Sequence, residues 1–191
     1  MVLGLFGRKQ PSAASRLESG GWRCASCEED HGWPFDLAAF VPDVWPHAER
    51  YEANSALRLD GDFLSEDFCI LGGKHFMVRA TLPIPVIGLK DRFAFGCWTT
   101  LSRENFGRYV DGFDSGEYAE MGPWPGWLMN RLAGLSDGPE PLAVNVQPRP
   151  GRMRPELWVV DDDHPLGAAQ RDGITPERML EVLAHFGHAP G

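Results

Sequence analysis

The sequence predicts an α+β fold in a single domain. Residues 75–87 and 92–101 alternate apolar and polar side chains on either side of a short turn, which predicts a long antiparallel hairpin. The strongest helical signals come after this hairpin and at the end of the chain. Strands and helices therefore do not alternate as they do in a doubly wound sheet. A length of 191 residues allows one substantial core.

Composition narrows the class of protein further. Hydrophobic residues make up 43% and aromatic residues 11% of the chain, as in a packed globular protein. A net charge of −9 disfavours nucleic-acid binding, which depends on Lys and Arg displacing counterions from phosphates. The six apolar residues at the start precede Gly-Arg-Lys, the reverse of a secretory signal, and no segment is long enough to span a bilayer. We predict a cytoplasmic protein with no membrane or nucleic-acid partner.

The first part of the chain lacks sustained periodicity. We expect residues 1–21 to form a flexible tail that precedes one domain over residues 22–188. The segment 43–54 predicts a short helix, and the segments 56–59 and 67–71 predict short strands.

The hairpin has one apolar face on each strand. These faces are formed by Phe76, Val78, Ala80, Leu82 and Ile84 on the first strand, and by Phe93, Phe95, Cys97, Thr99 and Leu101 on the second. The prolines at 83 and 85 lack an amide donor and favour an edge or a bulge.

The remaining elements follow from capping residues and turns. Ser102 is a good N-cap for a helix over 103–113, and 112–125 reads as a loop. Strands are predicted at 127–135, 142–147 and 156–160 between Gly/Pro turns. Thr175 followed by Pro and Glu predicts the start of a terminal helix, whose buried stripe is Met179, Val182, Leu183 and Phe186.

The stretch 22–34 carries the most chemistry. Cys24 and Cys27 form a Cys-x-x-Cys pair, and His31 follows four residues later. Tetrahedral zinc accepts thiolate and imidazole ligands together, so we predict a zinc site. Cys69, at the start of a short strand beside a turn, is the best candidate for the fourth ligand. Cys97 competes with Cys69, but it shares a strand face with phenylalanines and favours a packing role.

Two questions about this site stay open at the level of sequence. Four protein ligands would leave no position for water and make the ion structural, whereas three would leave a position that supports hydrolysis. Cys97 could also replace Cys69 or His31 as a ligand. A thioredoxin-like redox role for the Cys pair is disfavoured, because no βαβ context surrounds it.

A second polar cluster lies on the connection 161–173. Asp163, His164 and Gln170 form a possible binding loop between a strand and a helix. His164 beside Asp163 could act as an oriented general base, although Asp-rich turns are also common without a function. The sequence contains no Gly-x-Ser-x-Gly nucleophile motif and no Gly-rich dinucleotide or phosphate loop.

Several short motifs support a family assignment. In chain order they are Cys24-x-x-Cys27-x-x-x-His31, Asp67-Phe-Cys69-Ile70, Leu82-Pro-Ile-Pro-Val-Ile-Gly88, Phe95-Gly-Cys-Trp98, Gly126-Trp-Leu128, Arg154-Pro155, and Asp163-His-Pro-Leu166 with Gln170 and Gly173-Ile174. Over residues 22–186 this order resembles the bacterial domain-of-unknown-function family twenty-one ninety-nine. The resemblance implies a bacterial, cytoplasmic, single-domain protein without an established activity, and it supplies no catalytic residues.

The chain departs from that family pattern at two positions. Glu28 stands where a glycine often follows the second Cys, which bears on the shape of the turn. Cys97 stands where an aliphatic residue is usual, which supports a packing role for Cys97 and leaves Cys69 as the better ligand.

These observations predict a binding or interaction module with a structural zinc ion. The rival hypothesis is a metal-dependent hydrolase with an open zinc position, which requires a cleft that joins the Cys-rich turn to the 161–173 loop. A third hypothesis is an acidic protein whose negative surface meets a basic protein partner.

Overall fold

The computed structural model describes residues 11–18, 21–24, 26–118, 121–138 and 141–188. Within them the strands are β1 (Trp22–Arg23), β2 (Asp30–His31), β3 (Leu37–Ala38), β4 (Phe63–Leu64), β5 (Phe68–Leu71), β6 (His75–Pro85), β7 (Arg92–Leu101), β8 (Trp124–Leu128), β9 (Leu142–Gln147) and β10 (Glu156–Val159). The helices are α1 (Ala13–Glu18), α2 (Arg103–Phe113), α3 (Pro165–Asp172) and α4 (Pro176–His185), and Asn54–Ala56 forms one 3₁₀ turn.

The five strands β6 to β10 close into a barrel. Each strand pairs antiparallel with the next, and β10 returns to β6 in parallel at Glu156 and Thr81. Strands β5 and β4 extend the sheet from β6, and β3 pairs with β7 in parallel. This arrangement confirms the predicted α+β class and its mainly antiparallel sheet.

The central hairpin matches its prediction. Strands β6 and β7 pair from Phe76 opposite Leu101 to Pro85 opposite Arg92, and both predicted apolar faces are buried. β6 continues through both prolines, and the carbonyl groups of the two prolines accept hydrogen bonds from residues that follow β10. The Gln170 side chain donates to the Pro83 oxygen at 3.3 Å, and the Ile174 amide donates to the Pro85 oxygen at 2.9 Å.

The two helices predicted from caps are also confirmed. Helix α2 spans the predicted residues, and the Ser102 hydroxyl accepts from the Asn105 amide at 3.1 Å. Helix α4 begins after Thr175, whose hydroxyl accepts from the Arg178 amide at 3.2 Å. Local capping chemistry therefore fixes both starting points.

Other elements differ from the expectation. The helix predicted at 43–54 is wrong, because Pro46 interrupts the segment and Trp45 instead packs on the outer face of β6 and β7. The strand predicted at 56–59 is absent from the described secondary structure, and β8 starts at Trp124 and ends at Leu128, not at residues 127 and 135. Helix α3 falls in the stretch expected to be a loop.

A second, smaller core lies outside the barrel. Leu64, Cys69, Met77 and Trp98 form it on the outer face of the sheet. Ala39, Val41 and Trp45, from the irregular segment after β3, pack against this cluster. The chain thus covers the outer face of β6 and β7 with its own residues.

Part of the segment predicted as a flexible tail forms a helix. Residues 13–18 of the predicted flexible tail form α1, which packs against α4 and buries Leu17 completely. This burial is a physical reason for order in that part of the segment, since an apolar side chain gains free energy when it leaves water. Residues 1–10 lie outside the described residues, and the division into a tail and a domain over 22–188 stays a prediction.

We expect Gly126→Ala to destabilise the barrel by about 1–3 kcal/mol, because added atoms in a packed core force backbone shifts. A Cβ at this position would overlap the Thr100 carbonyl oxygen and lie 2.7 Å from the Thr99 hydroxyl. Gly107→Ala is the matched control: it lies inside α2 with open space around it and should stabilise the protein by roughly 0.5–1 kcal/mol. Guanidinium denaturation measures the free energy of unfolding of both variants. A Gly126→Ala variant as stable as the wild-type protein would contradict the close approach of the strands.

Candidate metal centre

The Cys-rich stretch folds as a small hairpin. β1 and β2 pair through Trp22 opposite His31 and Arg23 opposite Asp30. Inside the turn, the Cys24 amide donates to the Glu29 carbonyl oxygen at 2.9 Å. The Glu28 amide donates back to the Cys24 carbonyl oxygen at 3.0 Å. The two bonds close a tight loop that directs the thiols of this stretch and an imidazole to one side.

The turn needs an unusual backbone conformation at one residue. Glu28 has a φ of +59°, in the left-handed region where glycine is favoured. The position that the sequence comparison with the family singled out is therefore one where glycine carries no steric penalty. This chain adopts the left-handed conformation with a non-glycine residue.

Amide groups surround the buried thiol of this hairpin. The Cys24 side chain is 1% exposed. A hydrogen bond from the Cys27 amide is the main cause that lowers the pKa of the Cys24 thiol, and the Ser26 amide, 3.4 Å from the sulfur, also lowers it. N–H donors aimed at a sulfur favour the thiolate, which is the form that binds a metal.

A fourth donor comes from the far end of the chain. After α4 ends, Gly187 adopts a φ of +75° and its amide donates to the Ala184 oxygen at 3.0 Å, while the His188 amide donates to the Leu183 oxygen at 2.8 Å. This pair of bonds is a Schellman cap, which turns the chain sharply at a helix end. The Trp22 indole then donates to the His188 carbonyl oxygen at 3.0 Å. The cap and the indole together hold His188 against the hairpin.

Four ligand atoms converge at this point. One atom from each of Cys24, Cys27, His31 and His188 lies within 4.8 Å of the other three. The His31 Nε2 atom is 3.1 Å from the Cys27 sulfur, and the His188 Nδ1 atom is 3.9 Å from the Cys24 sulfur and 3.8 Å from the Cys27 sulfur. A tetrahedral zinc ion with ordinary bond lengths requires sulfur–nitrogen separations of about 3.5 Å. Two thiols and two imidazoles at these distances fit zinc.

An aromatic side chain covers one side of the group. The Phe35 ring lies 4.5 Å from the His31 ring, 5.5 Å from the His188 ring and 5.6 Å from the Trp22 ring, measured between centroids. This ring packs against both imidazoles and restrains their orientation, while Cys27 stays exposed to solvent.

The structure brings together three of the four predicted ligands and separates the fourth. Cys69 does not join the group, because it lies fully buried in β5 between Leu64 and Met77 of the flanking strands. Burial raises the pKa of the Cys69 thiol to about 12. His188, and not Cys69, supplies the fourth donor atom of the group.

Cys97 packs as the sequence suggested. It is fully buried in the main core on β7, and burial raises the pKa of its thiol. A neutral thiol in that position is a small apolar side chain and not a ligand.

The second predicted cluster has mainly structural contacts. The Gln170 side chain is buried and accepts from the Val159 amide, while it donates to the Pro83 and Leu157 carbonyl oxygens. His164 is the N-cap of α3, and its Nδ1 atom accepts from the Leu166 amide at 3.1 Å. The Asp163 side chain is exposed.

His164 also lines a cavity of about 180 Å³ together with Asp43, Asn130 and Arg131. None of the four Cys and His residues of the candidate metal centre lines this cavity. The cavity is therefore not the cleft, joining the two regions, that the hydrolase hypothesis requires.

Fold and site together define an α+β protein with a closed five-stranded barrel and a possible metal-binding group of two Cys and two His residues. The chain belongs to a bacterial family, DUF2199, which is described as an uncharacterized protein conserved in bacteria and whose model matches residues 23–174. This match confirms the family resemblance seen in the motifs. It includes Cys24, Cys27 and His31, while His188 lies beyond the matched residues.

Comparisons with curated proteins and with solved structures identify no further relatives. No curated protein and no solved structure matches the chain. In the part of the chain that the structure describes, none of the helices combines the length and the apolar character needed to cross a membrane.

We expect Glu28→Gly to stabilise the hairpin by about 0.5–1 kcal/mol. The change removes roughly 1–2 kcal/mol of left-handed strain and loses part of that gain to the greater entropy of an unfolded glycine. Glu29→Gly is the matched control, because it adds only the entropy term and should weaken the hairpin. Competition with a zinc chelator measures the zinc affinity of both variants, which should rise or fall with the stability of the hairpin. Equal effects of the two substitutions would argue against strain at residue 28.

Thiol labelling distinguishes the four cysteines. In metal-free folded protein, iodoacetamide should modify Cys27 first, since it is exposed, and leave Cys69 and Cys97 unmodified, since both are fully buried and have raised pKa values. Zinc should protect Cys27. Peptide mass spectrometry after timed labelling measures each rate, and labelling of Cys69 as fast as Cys27 would be inconsistent with this assignment.

Proposed function

We propose that this protein is a binding or interaction module with a structural zinc ion that joins the β1–β2 hairpin to the end of α4. The observation that carries the proposal is the donor set of Cys24, Cys27, His31 and His188. These four side chains would fill a tetrahedral shell and leave no position for a water molecule or a substrate. A closed shell of this kind stabilises a fold and does not catalyse hydrolysis.

The location of the donors supports a structural role. Three ligands come from a hairpin whose strands are only two residues long, and the fourth follows the last helix. A two-stranded hairpin of this size is marginal alone. A structural zinc ion contributes on the order of 10 kcal/mol of apparent free energy at neutral pH, enough to order such a hairpin.

The hydrolase alternative has less support. It needs an open coordination position and a general base close to the ion. Its candidate base, His164, uses one ring nitrogen to cap α3 and lines a cavity that the metal group does not share. We keep His164 as a candidate contact for a ligand at that cavity. Asp163 is exposed but does not line the cavity, and Gln170 fastens α3 to the barrel.

The composition supports the remaining parts of the proposal. With a net charge of −9, the module is suited to a protein partner and not to nucleic acid. A reducing cytoplasm would keep the two ligand thiols available for zinc.

Zinc content tests the proposal directly. Wild-type protein purified without added zinc should contain about one zinc ion per chain, and His188→Ala should weaken zinc binding beyond the roughly 10–100-fold that loss of an outer-shell partner produces. Cys69→Ala is the matched control and should retain its zinc, because that thiol packs in the small outer core. Metal analysis and chelator competition provide the values.

Two outcomes would remove the proposal. One is wild-type protein with near-zero zinc. The other is a Cys69→Ala variant that loses its zinc while His188→Ala keeps it, since the donor set would then be the one expected from the sequence alone.

A further inference from the structure

The outer face of β8, β9 and β10 carries apolar side chains. Alternation along these strands places Trp124, Leu128, Val144, Val146, Leu157 and Val159 in the core. The alternate residues point outward. Six of them form what we call the β8–β10 platform: Pro125, Trp127, Ala143, Asn145, Trp158 and Val160. Gln147 and Glu156 also point outward at one end of this face, where Glu156 pairs with Arg149. Strand register makes the platform continuous.

The pairing gives the platform two rows. In one row, Trp127 lies opposite Ala143, and the Val160 amide donates to the Ala143 oxygen at 3.0 Å. In the other row, Asn145 lies between Pro125 and Trp158. Five apolar side chains therefore lie around Asn145, and the polar residues Gln147 and Glu156 bound the face at one end.

These side chains are open to solvent. Trp127 is 50% exposed, Trp158 is 40% exposed and Val160 is 54% exposed. By contrast, the outer face of β6 and β7 is covered by the segment after β3. We estimate the apolar surface of the platform at on the order of 400 Å², a size that often marks an interaction site.

The same face also contains a depression. A groove of about 580 Å³ runs beside Trp127, and its lining includes the platform residues Ala143, Asn145 and Val160. A two-fold contact requires one surface to be complementary to itself. Half-exposed tryptophans next to a groove meet this requirement, because each copy offers both a protrusion and a site to receive it.

Charge limits where two copies of this chain can meet. The chain has a net charge of −9, so most contacts between two copies would bring like charges together. The six platform residues are all uncharged. The Asn145 amide has both a donor and an acceptor and can pair with the same group of a second copy.

We propose that the β8–β10 platform is the interface of a two-fold symmetric dimer of this protein. Trp127 and Trp158 are its anchors, consistent with the prevalence of tryptophan among residues that dominate binding energy. The apolar centre supplies about half of the roughly 800 Å² per partner that a standard interface buries, and the surrounding polar rim supplies the remainder. The platform contains no metal ligand, so this proposal does not depend on the proposed function.

Sedimentation velocity of the full zinc-loaded chain tests the dimer. Wild-type protein should shift from monomer to dimer as its concentration rises through the micromolar range. Trp127→Asp and Trp158→Asp should each weaken association by at least about 30-fold, as expected for the loss of a dominant anchor. Ile87→Asp is the matched control, because Ile87 is also 54% exposed but lies outside the platform, and it should leave association unchanged.

Salt provides an independent readout. Raising sodium chloride to about 0.5 M should strengthen the dimer, because it screens repulsion between two acidic copies. Zinc content and circular dichroism identify any variant that fails to fold, and Val160→Asp then replaces it. A monomer over the whole concentration range, a dimer that survives both tryptophan substitutions, or association that weakens with salt would each overturn the proposal. A dimer without bound zinc would contradict only the proposed function.

Discussion

The organisation of this protein depends on one convergence of side chains, in which the first hairpin meets the end of the last helix. Hydrogen bonds hold the residues on both sides of this contact in place. Cys24 is held by amides of its own turn, and His188 is held by the Schellman cap of α4 and by the Trp22 indole. Helix α1 also packs on α4, so both ends of the described chain gather on the same helix. A metal ion at this point would convert several weak local contacts into one strong link between distant segments.

Local signals in the sequence predict the elements that depend on neighbouring residues. The hairpin of β6 and β7 follows from strict alternation, and α2 and α4 follow from the hydroxyl caps at Ser102 and Thr175. Strand β9 also has its predicted bounds. The start of α3 escaped prediction although its signal was local: His164 accepts an amide as a cap, and Pro165 occupies the first turn. Histidine is a less familiar cap than Ser, Thr, Asp or Asn, and the Asp-rich stretch before it suggested a loop.

The donor set shows where local reasoning ends. Cys24, Cys27 and His31 lie on one turn, so their spacing alone predicts that they meet. The fourth donor depends on which distant segment packs against that turn, and periodicity carries no such information. Cysteine is a common ligand and Cys69 lies beside a turn, which made it the expected fourth donor. Its side chain instead packs in the small outer core. The available signal was Gly187, because a glycine directly after the C-cap residue of a helix turns the chain and fixes the direction of the next side chain.

The outward residues of the barrel divide into two groups with different consequences. Rules of alternation identify the buried face of a strand and assume that the other face meets water. On β6 and β7 the outward residues include the large apolar side chains of Met77 and Trp98, and the segment after β3 covers them. On β8 to β10 the outward tryptophans have no equivalent cover within the described residues. Apolar side chains on both faces of a strand therefore indicate that its outer face makes a contact of its own, in addition to the core. For β6 and β7 that contact lies within the chain, and for β8 to β10 the same physics favours a surface supplied by another molecule.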